Sequence, residues 1–289
     1  MPPLVVIVGE TASGKSAVAH QLAKQFNGEI ISADSWAVYR GFDIGTAKPT
    51  AAERAEVTYH LIDVAEPEDG FSAVLFKQLA TEAIADITNR GKLPFLVGGT
   101  GLYIDSILFD YGFLPSTDPD LRRELDALTL NEVLQRAKGL QLDTEGIDLG
   151  NKRRVIRLIE NNGVRPTKQA LRPSTAVVGL QTERSLLQTR VERRVDGMLA
   201  AGLEQEVQNL AQRYGWDVEP MKGIGYREFR LYFEGLQTIA ETRERIIRST
   251  IQLAKKQRTW FKRNKSIHWL DNRGDIPQVV ELITTLLNT

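Results

Sequence analysis

Lys15 and Ser16 end the stretch GETASGKS, which follows LVVIV and precedes AVAHQLAKQF. The spacing G-x-x-x-x-G-K-S belongs to loops that cradle phosphate. Backbone amides and a helix N-terminus face the anion, the lysine neutralises it, and the serine hydroxyl can ligate Mg²⁺. All eight residues (Gly9, Glu10, Thr11, Ala12, Ser13, Gly14, Lys15 and Ser16) are therefore candidates for holding a phosphate group, with Ser16 the candidate metal ligand. A glycine-rich turn without a ligand is the plain alternative. A strand before the loop and a helix after it favour phosphate.

What accompanies the loop narrows the chemistry. Nucleotide hydrolases carry an apolar strand ending in Asp, which holds the magnesium or its water. Here PFLV ends in GGT, and HLID supplies Asp63 only in a poor match to that pattern. Thr100 can donate a hydrogen bond to a phosphate oxygen but cannot orient water as a carboxylate does, so ATP need not be the substrate. Asp34, at the end of EIISAD, is the carboxylate best placed near the phosphate. It can bind Mg²⁺, accept a proton from a nucleophile, or cap the following turn, and the pattern does not choose among these.

The elements that must position these residues alternate. LVVIVG, EIISAD and LPFLVGG read as short, continuously apolar buried strands, YHLIDV as another, and helical periodicity separates them. SAVLFKQLATEAIADITNRG is a helix with Ser72 as N-cap and Gly91 as stop. The alternation predicts an α/β fold: a P-loop NTPase-like parallel sheet flanked by helices, with ligands beyond the carboxyl ends of its strands. Gly9, Asp34 and Thr100 all fall at that edge. Past Leu114 the turn-rich LPSTDPD opens a segment of short polar helices, read as a small inserted helical domain. The expected division is 1–114 for the first part of the core, 115–173 for the insertion and 174–289 for the return. The return holds the strand STAVVGLQT, amphipathic helices broken near Gly202, a long basic helix, the strand SIHWLD and a closing helix.

Composition sets outer bounds. The 289 residues carry 37 basic and 37 acidic side chains, so net charge names no polyanion partner. No cysteine is present, which excludes disulfides, thiolate metal sites and a cysteine nucleophile. His20, His60 and His268 are scattered without metal spacing and read as structural. No apolar run reaches membrane-span length, and the expectation is a cytoplasmic protein that meets no membrane and acts as a monomer. Local charge is more informative. KKQRTWFKRNK, residues 255–265, holds six basic residues and no acid around Trp260 and Phe261, and NKRRVIR is a second basic cluster.

Several longer stretches occur in a fixed order: GETASGKS, IISADSWAVYRGFDIGTAKP, YHLIDV, FLVGGTGLY, RRVIRLIE, RVERRVDGMLAAGLEQEV, KGIGYREF and QLAKKQRTWFKR with IHWLD. Together they resemble the tRNA dimethylallyltransferase (isopentenyl-tRNA transferase, IPP transferase) family over nearly the whole chain. The resemblance implies transfer of a five-carbon prenyl group from dimethylallyl diphosphate to N6 of the adenosine just 3′ of the anticodon. The loop would then hold a diphosphate leaving group, with Mg²⁺ as cofactor.

By the same resemblance Asp34 is the general base. Thr100 acts toward the bridging oxygen, and Arg194 of ERRVDGM lies on the diphosphate. Without the resemblance Arg194 would read as a helix-surface partner of Glu192 or Asp196. The stretches matching the family's tRNA contacts supply Asp34, Ser35, Trp36 and Ala37; Arg153, Arg154 and Arg157; and Lys222, Gly225, Tyr226 and Arg227. The basic helix adds Lys255, Arg258 and Lys262, expected to contact the phosphates of an anticodon stem-loop while its aromatics stack on loop bases. A solvated helix face is the ordinary reading of such a run; the absence of any acid within it favours RNA.

Three departures stand out: Ala37 where many members carry Gln, Ile251 where many carry Arg, and LDTEGIDLGN in the insertion in place of the family's usual run. The rival readings are an adenylate isopentenyltransferase acting on free AMP, ADP or ATP, a P-loop small-molecule kinase, and a non-catalytic RNA-binding P-loop protein. The helical insertion and the basic helix favour tRNA, since a free nucleotide needs neither.

Overall fold

The structure is a computed structural model that describes residues 1–114, 118–271 and 276–287. Its chain forms two compact units, residues 1–108 with 172–289, and residues 109–171. The sequence-based boundaries were 114/115 and 173/174. The entry and exit segments of the smaller unit zip together, with Gln169 N–H donating to Phe109 O (2.8 Å) and Gly112 N–H to Thr167 O (3.0 Å). That pairing draws residues 109–114 into the smaller unit. Part of the LPSTDPD boundary, residues 115–117, lies outside the described residues.

In chain order the larger unit opens with β1 (Leu4–Gly9), α1 (Lys15–Gln25), β2 (Gly28–Ala33), α2 (Ala51–Glu56), β3 (Tyr59–His60), α3 (Ala73–Asn89), β4 (Leu93–Gly98) and α4 (Gly101–Leu108). The smaller unit holds α5 (Pro119–Ala127), α6 (Leu130–Gly139) and α7 (Lys152–Glu160). The larger unit resumes with β5 (Thr175–Gln181), α8 (Arg184–Ala200), α9 (Leu203–Tyr214), the short α10 (Arg230–Phe233), α11 (Ile239–Phe261), β6 (His268–Asp271) and α12 (Ile276–Leu287).

The six strands form one all-parallel sheet in the order β3-β2-β4-β1-β5-β6. This is the expected α/β class. Parallel strands covered on both faces need apolar residues at every position, and β1 and β4 are buried along their whole length. One face packs Phe95, Ile30 and Val178 against Leu22 of α1 and Val279 and Ile283 of α12; the other side centres on Tyr39, Phe42, Tyr226, Phe229 and Ile246. β3 is shorter than YHLIDV implied. Leu61 and Asp63 adopt left-handed φ of 60° and 58°, which ends the strand after His60.

Helix ends follow their caps. Ser72 caps α3 through Leu75 N–H, and Gly202, at φ 98°, separates α8 from α9. Thr238 begins α11 with a full capping box to Glu241. The smaller unit has its own core of Leu125, Val133, Ala137, Val155, Ile156 and Ile159, the apolar stripes of its three helices.

Candidate active site

The site sits at the carboxyl edge of the sheet, where β1, β2 and β4 end in Gly9, Ala33 and Gly98. Between β1 and α1 the chain turns through Ala12 at φ 61° and Gly14 at φ 86°. No side chain caps α1, so the amides of its first turn remain available to an anion. Ser13 Oγ is buried with no hydrogen-bond partner, an orphan hydroxyl inside a loop built of donors. Ser16 is exposed at the start of α1.

Beside the loop lies a cavity of about 170 Å³ whose lining includes Lys15, Ser16, Asp34, Arg194 and Thr11. Trp36, Ala37, Gly225, Tyr226, Ile224 and Met198 contribute its apolar wall. Lys15 Nζ donates to Glu10 O at 3.3 Å. Burial, with the nearby Arg194 charge, lowers the Lys15 pKa to about 8, against the opposing pull of Asp34 and Glu10. Burial also lowers that of Arg194, and Asp34 opposes the shift. Arg194 is thus a cavity residue and not the surface ion-pair partner that its neighbours alone implied. Asp196 pairs with Arg243 at 2.5 Å, and Glu192 accepts from Gln188 at 3.0 Å. Arg190, one turn before Arg194, lines the open groove on the outer side of the loop together with Ser13, Lys15 and Arg194.

Asp34 Oδ1 accepts the Trp36 N–H at 2.9 Å, so one carboxylate oxygen does cap the turn after β2. Thr100 Oγ1 accepts the Ser35 N–H at 3.1 Å and ties the ends of β2 and β4 together. Both residues thereby fix the same short turn, Asp34 from within and Thr100 from across the sheet.

The loop after this turn is anchored by groups the sequence did not single out. Glu206, on α9, accepts three successive amides, Asp43 (3.2 Å), Ile44 (2.8 Å) and Gly45 (3.1 Å), and the Tyr226 hydroxyl at 2.8 Å. Consecutive amides of this kind form an anion nest, here filled by the protein's own carboxylate. Lys48, its side chain 2% exposed, reaches Tyr39 O (2.6 Å), Asp43 (2.7 Å) and Asp63 (2.5 Å). Asp63 is therefore occupied with Lys48 and Arg54.

The last turns of α11 dock on the loop. Gln257 accepts Thr11 N–H at 2.7 Å and donates to Gly99 O at 3.1 Å. Arg258 holds Glu10 through Nε (2.9 Å) and Nη2 (2.6 Å), and Nη2 also meets Thr182 O at 2.8 Å. Trp260 Nε1 donates to Asp105 at 3.1 Å. The two glycines flanking Thr100 make room for this helix: a Cβ on Gly99 would collide with the Gln257 amide, and one on Gly101 with the Trp260 indole.

These contacts correct several expectations. Arg258 has a counter-acid after all, 248 residues away, and its guanidinium faces the loop. The Glu10 carboxylate correspondingly turns to Arg258. Phe261 is buried, so its ring is not presented as a platform for bases, while Trp260 is half-buried with its edge against α4. α11 ends at Phe261 with Lys262 as its cap residue, its N–H still bonded to Arg258 O, so Lys265 lies beyond the helix. Tyr226 is a buried core ring whose hydroxyl belongs to Glu206, although it borders the cavity.

The other basic candidates are placed as follows. Lys222 pairs with Glu219 (3.1 Å) and Arg227 with Glu228 (3.0 Å), both largely exposed. Lys255 and Lys262 are exposed. On the smaller unit, Arg153 and Arg154 are exposed on α7, while Arg157 binds Glu160 (3.2 Å) and Leu114 O (3.1 Å). Among the described residues no group of three or more His, Cys, Asp or Glu could hold a metal. His20 bonds Tyr59 and Glu56, and His60 bonds Glu29. No helix of the described residues is long and apolar enough to cross a membrane.

Comparison with known proteins agrees with this arrangement. A family model described as IPP transferase matches residues 37–264. A tRNA dimethylallyltransferase of Roseiflexus sp. (strain RS-1) is 45% identical over 278 residues, covering 91% of each chain. The crystal structure of a tRNA delta(2)-isopentenylpyrophosphate transferase from Staphylococcus epidermidis superposes with a TM-score of 0.74 at 37% identity, covering 100% of this chain and 99% of the other. A eukaryotic dimethylallyltransferase whose structures were described as acting on tRNA superposes with a TM-score of 0.80 at 25% identity, covering 99% of this chain and 77% of the other. The matched region takes in Arg194, Thr100 and the last turns of α11, and the chain belongs to the IPP transferase family.

Proposed function

We infer that this chain is a tRNA dimethylallyltransferase. It moves a dimethylallyl group from dimethylallyl diphosphate to N6 of the adenosine just 3′ of the anticodon and releases diphosphate. The observation that carries the chemical reading is the convergence of Lys15, Arg194 and Asp34 in one cavity with apolar walls. Two cations beside an amide-rich loop suit a diphosphate. The apolar wall suits a five-carbon chain, and the carboxylate suits a proton acceptor.

The donor's C1–O bond breaks as the adenine N6 lone pair forms the new C1–N bond. Charge then grows on the bridging oxygen, where stabilisation has the largest effect on rate. Lys15, Arg194, the loop amides and the Ser13 hydroxyl compensate it, and Thr100 offers its hydroxyl proton toward that oxygen. The N6 proton passes to Asp34, whose Oδ1 is held by Trp36 N–H. Mg²⁺, when bound, screens the diphosphate charge. Ser16 would hold it together with diphosphate oxygens, an all-oxygen donor set that fits a hard cation.

N6 of a stacked adenosine is out of reach, so the nucleotide must leave the loop stack to enter. Ser35, Trp36, Ala37 and Gly225 line the entry in this reading. Exposed Arg153, Arg154, Lys222, Arg227, Lys255 and Lys262 supply the phosphate contacts. The protein acts in the cytoplasm and as a monomer in the same reading. The test is incubation with labelled dimethylallyl diphosphate and either bulk tRNA or AMP: label should enter tRNA alone. Label in AMP would favour the adenylate isopentenyltransferase, and ATP-dependent phosphorylation with no prenyl transfer would favour a kinase.

A further inference from the structure

We propose that Arg258 serves the anion site: it is the counter-charge that keeps Glu10 from competing with the donor's diphosphate for the phosphate loop. The proposal rests on the diphosphate reading of that loop.

Glu10 is the second residue of the loop and only 3% exposed. A carboxylate there has the same sign as the ligand the loop is shaped to hold. It is tied down on every side. Arg258 grips both its oxygens, and Thr182 N–H donates to Oε1 at 3.2 Å. Its backbone carbonyl takes the Lys15 ammonium, and its charge acts on Lys15 directly. Burying a lone charge is unfavourable, whereas a pair bonded at both oxygens is tolerated. Removing Arg258 would leave a buried carboxylate whose charge acts on the lysine meant for the diphosphate.

The neighbouring contact fixes the geometry. Gln257 takes the Thr11 amide, so successive residues of α11 hold successive residues of the loop, 257 to 11 and 258 to 10. Thr11 N–H is thereby spent on Gln257 and is not presented to the ligand. Arg258 is thus a positioning residue that sets the charge of the loop, and not one of the cations that grip RNA.

Inorganic pyrophosphate is the probe. Its binding is measured by calorimetry at fixed Mg²⁺ for the wild type, Arg258→Gln, Glu10→Gln and the double variant. Arg258→Gln should weaken binding about tenfold or more, the scale of one uncompensated charge in a partly buried site. Glu10→Gln should bind as tightly as the wild type or tighter. The double variant should return to within about threefold of the wild type, because no stranded carboxylate remains. The salt slope of tRNA binding should not change in Arg258→Gln.

Unchanged pyrophosphate affinity in Arg258→Gln would overturn the proposal, as would a double variant as weak as the single one, or a flattened tRNA salt slope. A wild type that does not bind pyrophosphate would instead overturn the diphosphate reading itself, and this proposal with it. Should Arg258→Gln fail to fold, the double variant against the wild type carries the test. With both charges removed, affinity should stay within about threefold of the wild type, and a tenfold loss would refute the charge argument.

Discussion

Lys15 makes donor affinity depend on pH in a direction that can be worked out. Burial and the Arg194 charge lower its pKa from 10.5 to about 8. Only the ammonium form neutralises a diphosphate. Above pH 8 the empty site must first take up a proton, so affinity should fall about tenfold for each further pH unit, the equivalent of about 1.4 kcal/mol. The donor's own phosphates are ionised across this range, since phosphate esters finish titrating near pH 6. Stability of the empty protein should move the opposite way. Between pH 8 and 10.5 the unfolded chain binds the Lys15 proton and the folded chain does not, so this residue's contribution to stability rises as pH rises through that window. Calorimetric titration of dimethylallyl diphosphate from pH 7 to 9.5, with thermal unfolding of the free protein alongside, reads both trends. Lys15→Arg, which stays charged, should flatten the affinity profile. A flat wild-type profile, or equal slopes for wild type and Lys15→Arg, would refute the assignment of Lys15 as the titrating cation of the site.

Asp34→Asn should slow single-turnover prenyl transfer by about a hundredfold or more while changing donor affinity little, because a general base acts only in the chemical step; near-normal turnover would exclude Asp34 as the proton acceptor. Glu206→Ala strips four donors of their acceptor. It should lower stability in urea by about 3–5 kcal/mol and also weaken donor binding, since Gly45, Thr46 and Pro49 line the cavity. Glu29 is held far below the usual carboxylate range, foremost by Arg90, then by Lys92 and His60. Its contribution is therefore fully present above the ordinary glutamate pKa and is lost as pH falls below it. The thermal-stability gap between wild type and Glu29→Gln should be widest near pH 6 and shrink toward pH 3.

Local patterns made the sheet legible. LVVIV and LPFLV are apolar at every position because parallel strands are covered on both faces, and each ends at the residue where the site begins. Asp34 and Thr100 could be placed at that edge because strand ends are marked by the switch from apolar residues to turn residues. Pairings across hundreds of residues left no such mark. Nothing beside Arg258 shows that its partner is Glu10, and an acid-free basic run reads as a solvated or RNA-facing surface. The one local hint was Glu10 itself, the lone acid in a loop of anion-binding amides. The nest closed by Glu206 was hidden for the same reason, since DIGT and LEQEV lie on different elements. YHLIDV looked like a full strand because hydrophobicity reports burial but not φ, and Leu61 and Asp63 are buried or half-buried in turns.

The docking of α11 on the phosphate loop also has a temporal side. Glu10 of the loop leaves the ribosome 248 residues ahead of Arg258, which completes the loop together with Gln257. Strand β5, which pairs with β1 beside the loop, also comes only at residues 175–181. At typical synthesis rates of about 5–20 residues per second the loop waits roughly 12–50 s for its helix. Throughout that interval the nascent chain carries Glu10 without Arg258, and a loop so charged is poorly suited to capture a diphosphate. Donor binding should therefore begin only after residue 258 has been made, and chains truncated before residue 257 should emerge unable to load substrate even with every residue of GETASGKS in place.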